Sequence, residues 1–417
     1  MTAARPALGF VRRRWWVQVL AVQAAARLVS AVVLLVVAER QAANLWTPAS
    51  PSYLEYTGLM WDASWYRTIA EEGYPAELPL GPDGRVQQNA WAFFPLFPVL
   101  ARGIMALTGA PWATVAPLLA LVLGTAALLV VHRVVALGLE AAVRAGAPPP
   151  PARVARALPL ATVAVLATGA ASPVLQVAYT ESLALLLLAA ALWCLLERRY
   201  ALAVPVVLAL GLTRAVALPL VLAVAAHAWQ RHREASVAPA PALAWAPGER
   251  WRLGALALVA AASGLLWPAL VGLATGRADA YTLTQAAWRG RGEVVPLVPW
   301  LDVARWLLGP WGVPALAAVA VGLGALLLTR PLARLGAVLR GWTAGYLGYL
   351  VLVLEPGTSL VRFGLLAFPV AAVVAQLCLR SRWPRATLAL VVLLGVAGQV
   401  AWVGLLWRLV PPSGWPP

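Results

Sequence analysis

The stretch WDASWYRTIAEEGY (residues 61–74) is followed closely by NAWAFFPLFP (residues 89–98), and both lie in the longest interval between apolar segments of an overwhelmingly apolar chain. A charge near a bilayer is costly and is kept there only when it has a task or reaches water. Here the carboxylate of Asp62 sits between Trp61 and Trp65. Whether this interval spans the membrane or lies outside it sets the direction of every segment that follows.

Apolar residues make up 62% of the 417 positions and the mean hydropathy is +0.79. Such a composition excludes a water-soluble globular surface and describes a polytopic membrane protein. All 32 basic residues are arginine, which, beside the abundant alanine, glycine and proline, looks like the codon bias of a high-GC bacterium. The net charge of +16 does not indicate a nucleic-acid partner, because a nucleic-acid binder clusters its cations on a solvated face. These arginines punctuate apolar runs. Cys194 and Cys378 both fall inside such runs and form neither a disulfide framework nor a zinc site. His132, His227 and His232 show no metal-ligand spacing.

With about 20 apolar residues needed per span, candidate segments fall at 17–38, 112–138, 157–175, 178–196, 200–213, 214–229, 252–274, 310–329, 341–354, 361–379 and 386–407. This predicts an all-α fold of about eleven transmembrane helices. The pair at 200–229 is short and is interrupted by Thr213-Arg214; it reads either as a hairpin that does not cross fully or as one long tilted helix holding a buried arginine. The run Arg12-Arg13-Arg14 precedes an apolar stretch too long for a signal-peptide core, so segment 17–38 is expected to be a retained helix.

Cytoplasmic loops should hold the arginines. Treating 93–108 as an interfacial or re-entrant helix collects Arg5, the Arg12–Arg14 run and most later arginines on one side, with only Glu140, Glu197, Glu234 and Glu249 among them. Making 93–108 a full span would spoil this pattern. The expectation is therefore an inner (cytoplasmic) membrane protein with its N-terminus in the cytoplasm and the 39–111 loop outside. The chain reads as one membrane-embedded unit over 1–417, with a cytoplasmic linker at 230–251 and a second extracytoplasmic loop at 275–309; no internal repeat is visible.

On a helical wheel, residues 61–72 place Trp61, Trp65 and Ile69 on one face with Asp62 beside them, opposite Ser64, Arg67 and Glu71. A carboxylate on the apolar face calls for a partner, a ligand or a chemical role. Alternatively Asp62 caps this helix or pairs with Arg67.

The pattern W-D-x-x-x-Y-x-x-I-A-x-x-G-Y (Trp61, Asp62, Tyr66, Ile69, Ala70, Gly73, Tyr74), followed by A-F-F-P-L-F-P at 92–98, resembles the phosphatidylinositol-glycan class V type of mannosyltransferase in the GT-C superfamily. Y-T-E-S at 179–182, T-R at 213–214 and R-F-x-x-x-A-F-P at 362–369 are similar to that family too. The resemblance implies a GT-C fold and transfer of mannose from a polyprenyl-phosphate-linked donor, with Asp62 as the catalytic carboxylate. A site outside the cytoplasmic membrane has no access to cytoplasmic nucleotide sugars, which agrees with a membrane-borne donor. The acceptor hydroxyl needs a proton acceptor and the leaving phosphate needs cationic donors. Candidates for the latter are Arg214, Arg362, Arg289 and Arg291; each is otherwise a headgroup anchor or an acid's partner.

Trp61, Trp65, Tyr66, Asn89, Phe94, Tyr179 and Glu181 complete the substrate-binding candidates. Aromatic residues favour this depth in any case, and Glu181 reads equally as a helix N-terminal acid. Some members of the superfamily use a divalent cation; nothing in this sequence indicates one. Expected partners are the donor, a lipid or glycan acceptor and membrane lipids. Two other classes remain readable in the same pattern: a lipid or solute transporter, which should show paired broken helices, and a noncatalytic subunit of a glycosyltransferase complex, which has no need of Asp62.

Overall fold

The computed structural model describes residues 14–237, 244–292 and 295–410; Arg5, Arg12, Arg13 and the 238–243 part of the expected linker lie outside them. Lipid offers no partner to a free N–H or C=O, so helices are the natural elements for this composition. Among the described residues the chain forms eighteen α-helices and no strand. They begin with α1 (Trp15–Ala38), then α2 (Tyr53–Gly58), α3 (Asp62–Glu71) and α4 (Leu96–Thr108) across the first loop. Next come α5 (Trp112–Arg144), α6 (Ala152–Thr168), α7 (Glu181–Leu196), α8 (Tyr200–Gly211) and α9 (Leu220–Val237). The remainder are α10 (Glu249–Thr275), α11 (Ala280–Arg289), α12 (Val298–Leu308), α13 (Gly312–Leu328), α14 (Arg330–Ala333), α15 (Gly336–Val353), α16 (Leu360–Phe363), α17 (Phe368–Arg380) and α18 (Pro384–Trp402).

Each expected span contains a helix. Among the described residues, six helical stretches are long and apolar enough to cross a membrane: 15–38, 112–144, 249–275, 298–328, 360–380 and 384–407. Leu28, Leu258, Leu265, Val321 and Leu393 project from these helices into the surroundings, an outward apolar surface that suits lipid rather than water. Inside, α7 packs along α5 and α8, α9 along α15, and α6 along α17. Helix α7 is apolar all round and buried over most of its length, the pattern of a core helix.

Several expectations change in detail. Residues 200–229 form two elements, because the chain leaves α8 at Gly211 and turns through 212–219 before α9. Tyr200 Oη lies 2.9 Å from His227 Nε2, so the start of α8 stands beside the body of α9. This is the short hairpin, not the single tilted helix. At 12 residues, α8 rises only about 18 Å, well short of a hydrocarbon core of about 30 Å. Helix α4, with 13 residues, is likewise too short to cross at about 20 Å. It turns Phe97, Pro98 and Ala101 inward and Val99, Leu100 and Leu107 outward. The interval expected as loop 275–309 holds α11 and α12, and the expected linker 230–251 includes the end of α9 and the start of α10.

The segment expected as a span over 157–175 ends at Thr168, where Gly169 and then Pro173 break the helix. Residues 170–180 are irregular or 3₁₀ in conformation yet almost wholly buried. Irregular backbone at depth persists only where its polar groups find partners, and Arg27, midway along α1, supplies them. Its guanidinium donates to the carbonyls of Ser172 and Ala167 and to Ser172 Oγ. Gln399 Nε2 donates to Thr168 O at 2.9 Å, while Ser30 Oγ donates to Gln399 Oε1 at 2.7 Å. Gly395 lets α18 approach, since a Cβ there would stand 2.5 Å from the Thr168 carbonyl oxygen. The cation also faces the carbonyl end of α6, the negative end of its dipole.

Replacing Arg27 by leucine should therefore strand the carbonyls of Ala167 and Ser172 and cost about 3 kcal/mol or more. The expected outcome is a lower thermal midpoint in detergent and a lower yield of monodisperse protein, with Arg27→Lys intermediate. An unchanged midpoint for Arg27→Leu would sink this account.

Candidate active site

The first loop is fastened before it reaches Asp62. Ser52 and Glu55 form a reciprocal capping box at the start of α2. Trp112 Nε1 donates to Gly58 O at 2.7 Å, and Ala178 N donates to Thr57 O at 2.9 Å. Trp61 then adopts φ 58° and ψ −128°, a conformation costly for a bulky residue and found where surroundings hold it. What holds it is its own indole, whose Nε1 donates to Trp407 O at 2.6 Å. Trp407 lies in a π-helical turn, Val403–Trp407, that continues α18, and it packs against Tyr56, Tyr179 and Trp402.

The chain leaves Trp61 as α3 with Asp62 as first residue. Asp62 does not cap the helix through its side chain. Its backbone N–H donates to Tyr179 Oη at 3.2 Å, and its Oδ2 accepts from Arg362 Nη2 at 2.6 Å. The expected pairing with Arg67 does not occur, because Arg67 points outward to Glu71 at 2.9 Å. The buried face of α3 is Ala63, Tyr66, Ile69 and Ala70. Trp61 is displaced from the wheel by standing before the helix in a left-handed conformation, and Trp65 stacks on Phe93 with ring centroids 5.7 Å apart.

Arg362, on the single turn α16, is the hub of the site. Its Nη1 donates to Glu181 Oε1 at 2.6 Å, and Glu181 Oε1 also accepts from Arg214 Nη1 at 2.8 Å. Arg214 lies in the α8–α9 turn and donates further to Thr180 Oγ1 at 3.0 Å. Thr180 Oγ1 is 3.3 Å from Tyr66 Oη. Side-chain exposure is 6% for Arg362, 1% for Glu181, 14% for Arg214 and 19% for Asp62. The Arg362 guanidinium lies 5.0 Å from the ring centroid of Tyr179 and 4.8 Å from that of Phe363, within cation–π range. Burial pushes the Tyr66 phenol well above its ordinary range, with the nearby Arg214 opposing the shift. Tyr66 is thus a neutral hydroxyl at physiological pH.

Beside this cluster is a cavity of about 250 Å³. Asp62, Tyr66, Phe94, Arg214, Arg289 and Arg362 line it, joined by Tyr281, Gln285, Tyr346 and Tyr349. Two carboxylates and two guanidiniums compensate each other, and Arg289 has no carboxylate partner among the described residues. The remaining candidates serve the walls. Glu181, Tyr179, Trp61 and Trp65 stand behind the lining. Asn89, expected to touch substrate, is consumed by its surroundings: Oδ1 accepts from Trp91 N, and Nδ2 donates to Gln87 O and to Thr284 Oγ1. Arg291 pairs with Glu355 at 2.8 Å and does not enter the cavity.

One physical fact unites the sequence motifs. The W-D stretch, Y-T-E-S, T-R and R-F are linked by direct side-chain contacts although Asp62 and Arg362 are 300 residues apart. The A-F-F-P-L-F-P motif joins them where Leu96 N donates to Leu212 O at 3.0 Å. Tyr281, Gln285 and Tyr349 carry no such motif signal; they lie in ordinary interfacial sequence. Among the described residues no group of three or more His, Cys, Asp or Glu side chains is arranged to hold a metal ion. Each carboxylate of the cluster already faces a guanidinium, a donor set that does not fit a divalent cation.

No family model matches the sequence, and no curated protein matches it. Among solved structures, the chain is similar to the crystal structure of the Archaeoglobus fulgidus oligosaccharyltransferase tethered by a disulfide bond to an acceptor peptide containing the NVT sequon. The TM-score is 0.47 and the sequence identity 12%, and the match covers 97% of this chain and 56% of that one. The chain thus spans little over half the length of that structure.

The charge cluster should behave as a unit. Glu181→Gln leaves two buried guanidiniums without their shared counter-charge and is expected to cost about 3 kcal/mol or more. Combining it with Arg214→Gln should cost less than the two single changes together. Thermal unfolding of the four proteins of this cycle in one detergent provides the measurement. Additive costs would refute the coupling.

Proposed function

We propose that the protein is a membrane glycosyltransferase of the GT-C superfamily, similar to the phosphatidylinositol-glycan class V type, which transfers mannose from polyprenyl-phosphate mannose to a lipid-linked or envelope glycan acceptor. The observation that carries this reading is the position of Asp62. Its carboxylate lines a small aromatic-walled cavity and is gripped through Oδ2 by Arg362. Among the described residues, no other side chain donates to that carboxylate.

On this reading the acceptor hydroxyl oxygen forms a bond to the anomeric carbon. The bond from that carbon to the donor's phosphate oxygen breaks, with inversion, and the electron pair leaves with the phosphate. The hydroxyl proton passes to the carboxylate of Asp62, acting as general base. Arg362 orients that carboxylate. Arg214 and Arg362 hold Glu181, so the lining cation available for the leaving phosphate is Arg289, where a charge-assisted hydrogen bond favours the developing charge. Tyr281 and Phe94, in edge-to-face contact at 6.4 Å, give the sugar or the first prenyl units an aromatic wall. A site at the helix ends that feed the first loop suits a donor whose chain remains in lipid. The expected setting is the extracytoplasmic face of the cytoplasmic membrane.

The test is transfer of labelled mannose from polyprenyl-phosphate mannose to membrane lipids and glycans, at matched levels of inserted protein. Asp62→Asn is expected to lower turnover by about a hundredfold or more without displacing the protein from the membrane. Arg289→Gln should raise the donor KM by about tenfold or more, the loss of one charge-assisted contact. Full turnover in Asp62→Asn would remove the base from the mechanism, and labelling that never depends on this protein would favour a transporter or an accessory subunit.

A further inference from the structure

Away from Asp62, a groove of about 1040 Å³ runs between the end of α5, most of the length of α9 and the start of α15. The same helix α15 that offers Tyr346 and Tyr349 to the candidate site offers Ala337, Arg340, Gly341 and Ala344 to this groove. The groove therefore follows the first half of α15 and the candidate site its second half.

The groove has two chemically distinct parts. Its apolar part is a shallow trough of Leu222, Ala225, Ala226, Ala337 and Ala344, with Leu222 and Ala225 exposed. From Leu222 to Arg233, α9 rises about 16 Å along it. The floor exists because the helices meet closely: a Cβ on Gly341 would lie 2.7 Å from Leu222 O, and one on Gly138 of α5 would lie 2.5 Å from Leu335 O. Its mouth carries Arg144, Arg233 and Arg340. Arg144 reaches Glu140 only at 3.9 Å, while Arg233 and Arg340 have no carboxylate partner among the described residues. Glu234, at the same mouth, is held by Arg231 at 2.8 Å, by Gln230 at 2.8 Å and by Arg198 at 3.5 Å. Residues 238–243 contain no charged side chain.

An apolar trough along a helix face, ending in cations with no carboxylate partner among the described residues, fits one class of molecule. The geometry points to a binding site for an anionic phospholipid, its phosphate between Arg233 and Arg340 and its chain along the face of α9. Basic pockets between membrane helices hold anionic headgroups by this combination of charge and apolar contact. The site is independent of the proposed transfer reaction and shares no residue with it.

The full-length protein in detergent, titrated with dioleoyl phosphatidylglycerol and followed by native mass spectrometry, tests this directly. One phosphatidylglycerol is expected to bind more tightly than dioleoyl phosphatidylcholine. Arg233→Gln combined with Arg340→Gln should weaken it about tenfold or more. Ala225→Leu fills the trough at an exposed position and leaves the charge unchanged, so it should also weaken binding. Arg156→Gln combined with Arg252→Gln removes equal charge from exposed positions outside the groove and should leave binding intact. Equal retention of phosphatidylcholine, equal loss in the Arg156/Arg252 control, or unchanged binding in Ala225→Leu would each overturn the proposal. So would displacement of the lipid by glycerol phosphate at comparable concentration, which would mean a site for free phosphate. Arg233→Gln alone, at an exposed unpaired residue, keeps the charge test available if the double variant folds poorly.

Discussion

Arg362 holds the site together because it touches Asp62 and Glu181 through different guanidinium nitrogens, each at 2.6 Å. A single turn, α16, thereby fixes the start of α3 against the start of α7, and Glu181 passes the constraint on to Arg214 in the α8–α9 turn. Buried ion pairs add little net stability, since desolvation offsets much of the attraction. Their effect is selective. Any displacement of α16 from α7 strands a charge in a low-dielectric interior, so one arrangement of these four chain segments lies well below its neighbours. The planar, permanently charged fork of arginine suits such bridging in a way that lysine does not.

Around that hub the fold repeatedly ends helices early and satisfies the exposed backbone with side chains. Helix α6 stops at Thr168, and Arg27, Gln399 and Ser30 service the carbonyls and hydroxyls that follow. Helix α8 stops at Gly211 and hands its end to Leu96 N. Helix α18 widens into a π-turn whose carbonyl at Trp407 receives the Trp61 indole. Each interruption serves the same purpose, since uninterrupted helices would leave no concave surface in which polar side chains can converge. The aromatic stack of Tyr74, Trp91 and Trp267 then covers this region from the first-loop side, with Tyr74 and Trp91 centroids 4.3 Å apart.

Sequence reading was strongest where a polar residue interrupts an apolar or aromatic run. Asp62, Glu181, Arg214 and Arg362 stand out for that reason, and their convergence depends on no local signal at all. The helical wheel of α3 misplaced the buried face because it extended a regular 100° step to Trp61, whose left-handed backbone takes it off the helix. Asn89 had the polarity of a ligand-binding residue, but its donors and acceptors are used within its own loop and by Thr284. Arg27 is illegible for a different reason: its partners are main-chain carbonyls 140 and 145 residues away, and carbonyls carry no sequence identity. The span boundaries near 168 and 403 are equally hidden, since hydropathy continues through both breaks.

The charge count of the cavity bears on direction as well as binding. Asp62 and Glu181 are matched by Arg362 and Arg214, leaving Arg289 as the lining cation with no carboxylate partner among the described residues. A glycosyl phosphodiester brings a single negative charge, which one guanidinium balances. The polyprenyl phosphate left after transfer is a monoester and carries up to one charge more near neutral pH, so in the proposed reaction the product over-fills the same cavity. Arg289 belongs to α11, which is tied to the first loop by the Thr284–Asn89 contact, whereas Arg214 and Arg362 are anchored by Glu181. The cation that would meet the phosphate is therefore carried by one element, and the arginine that would position the base by another.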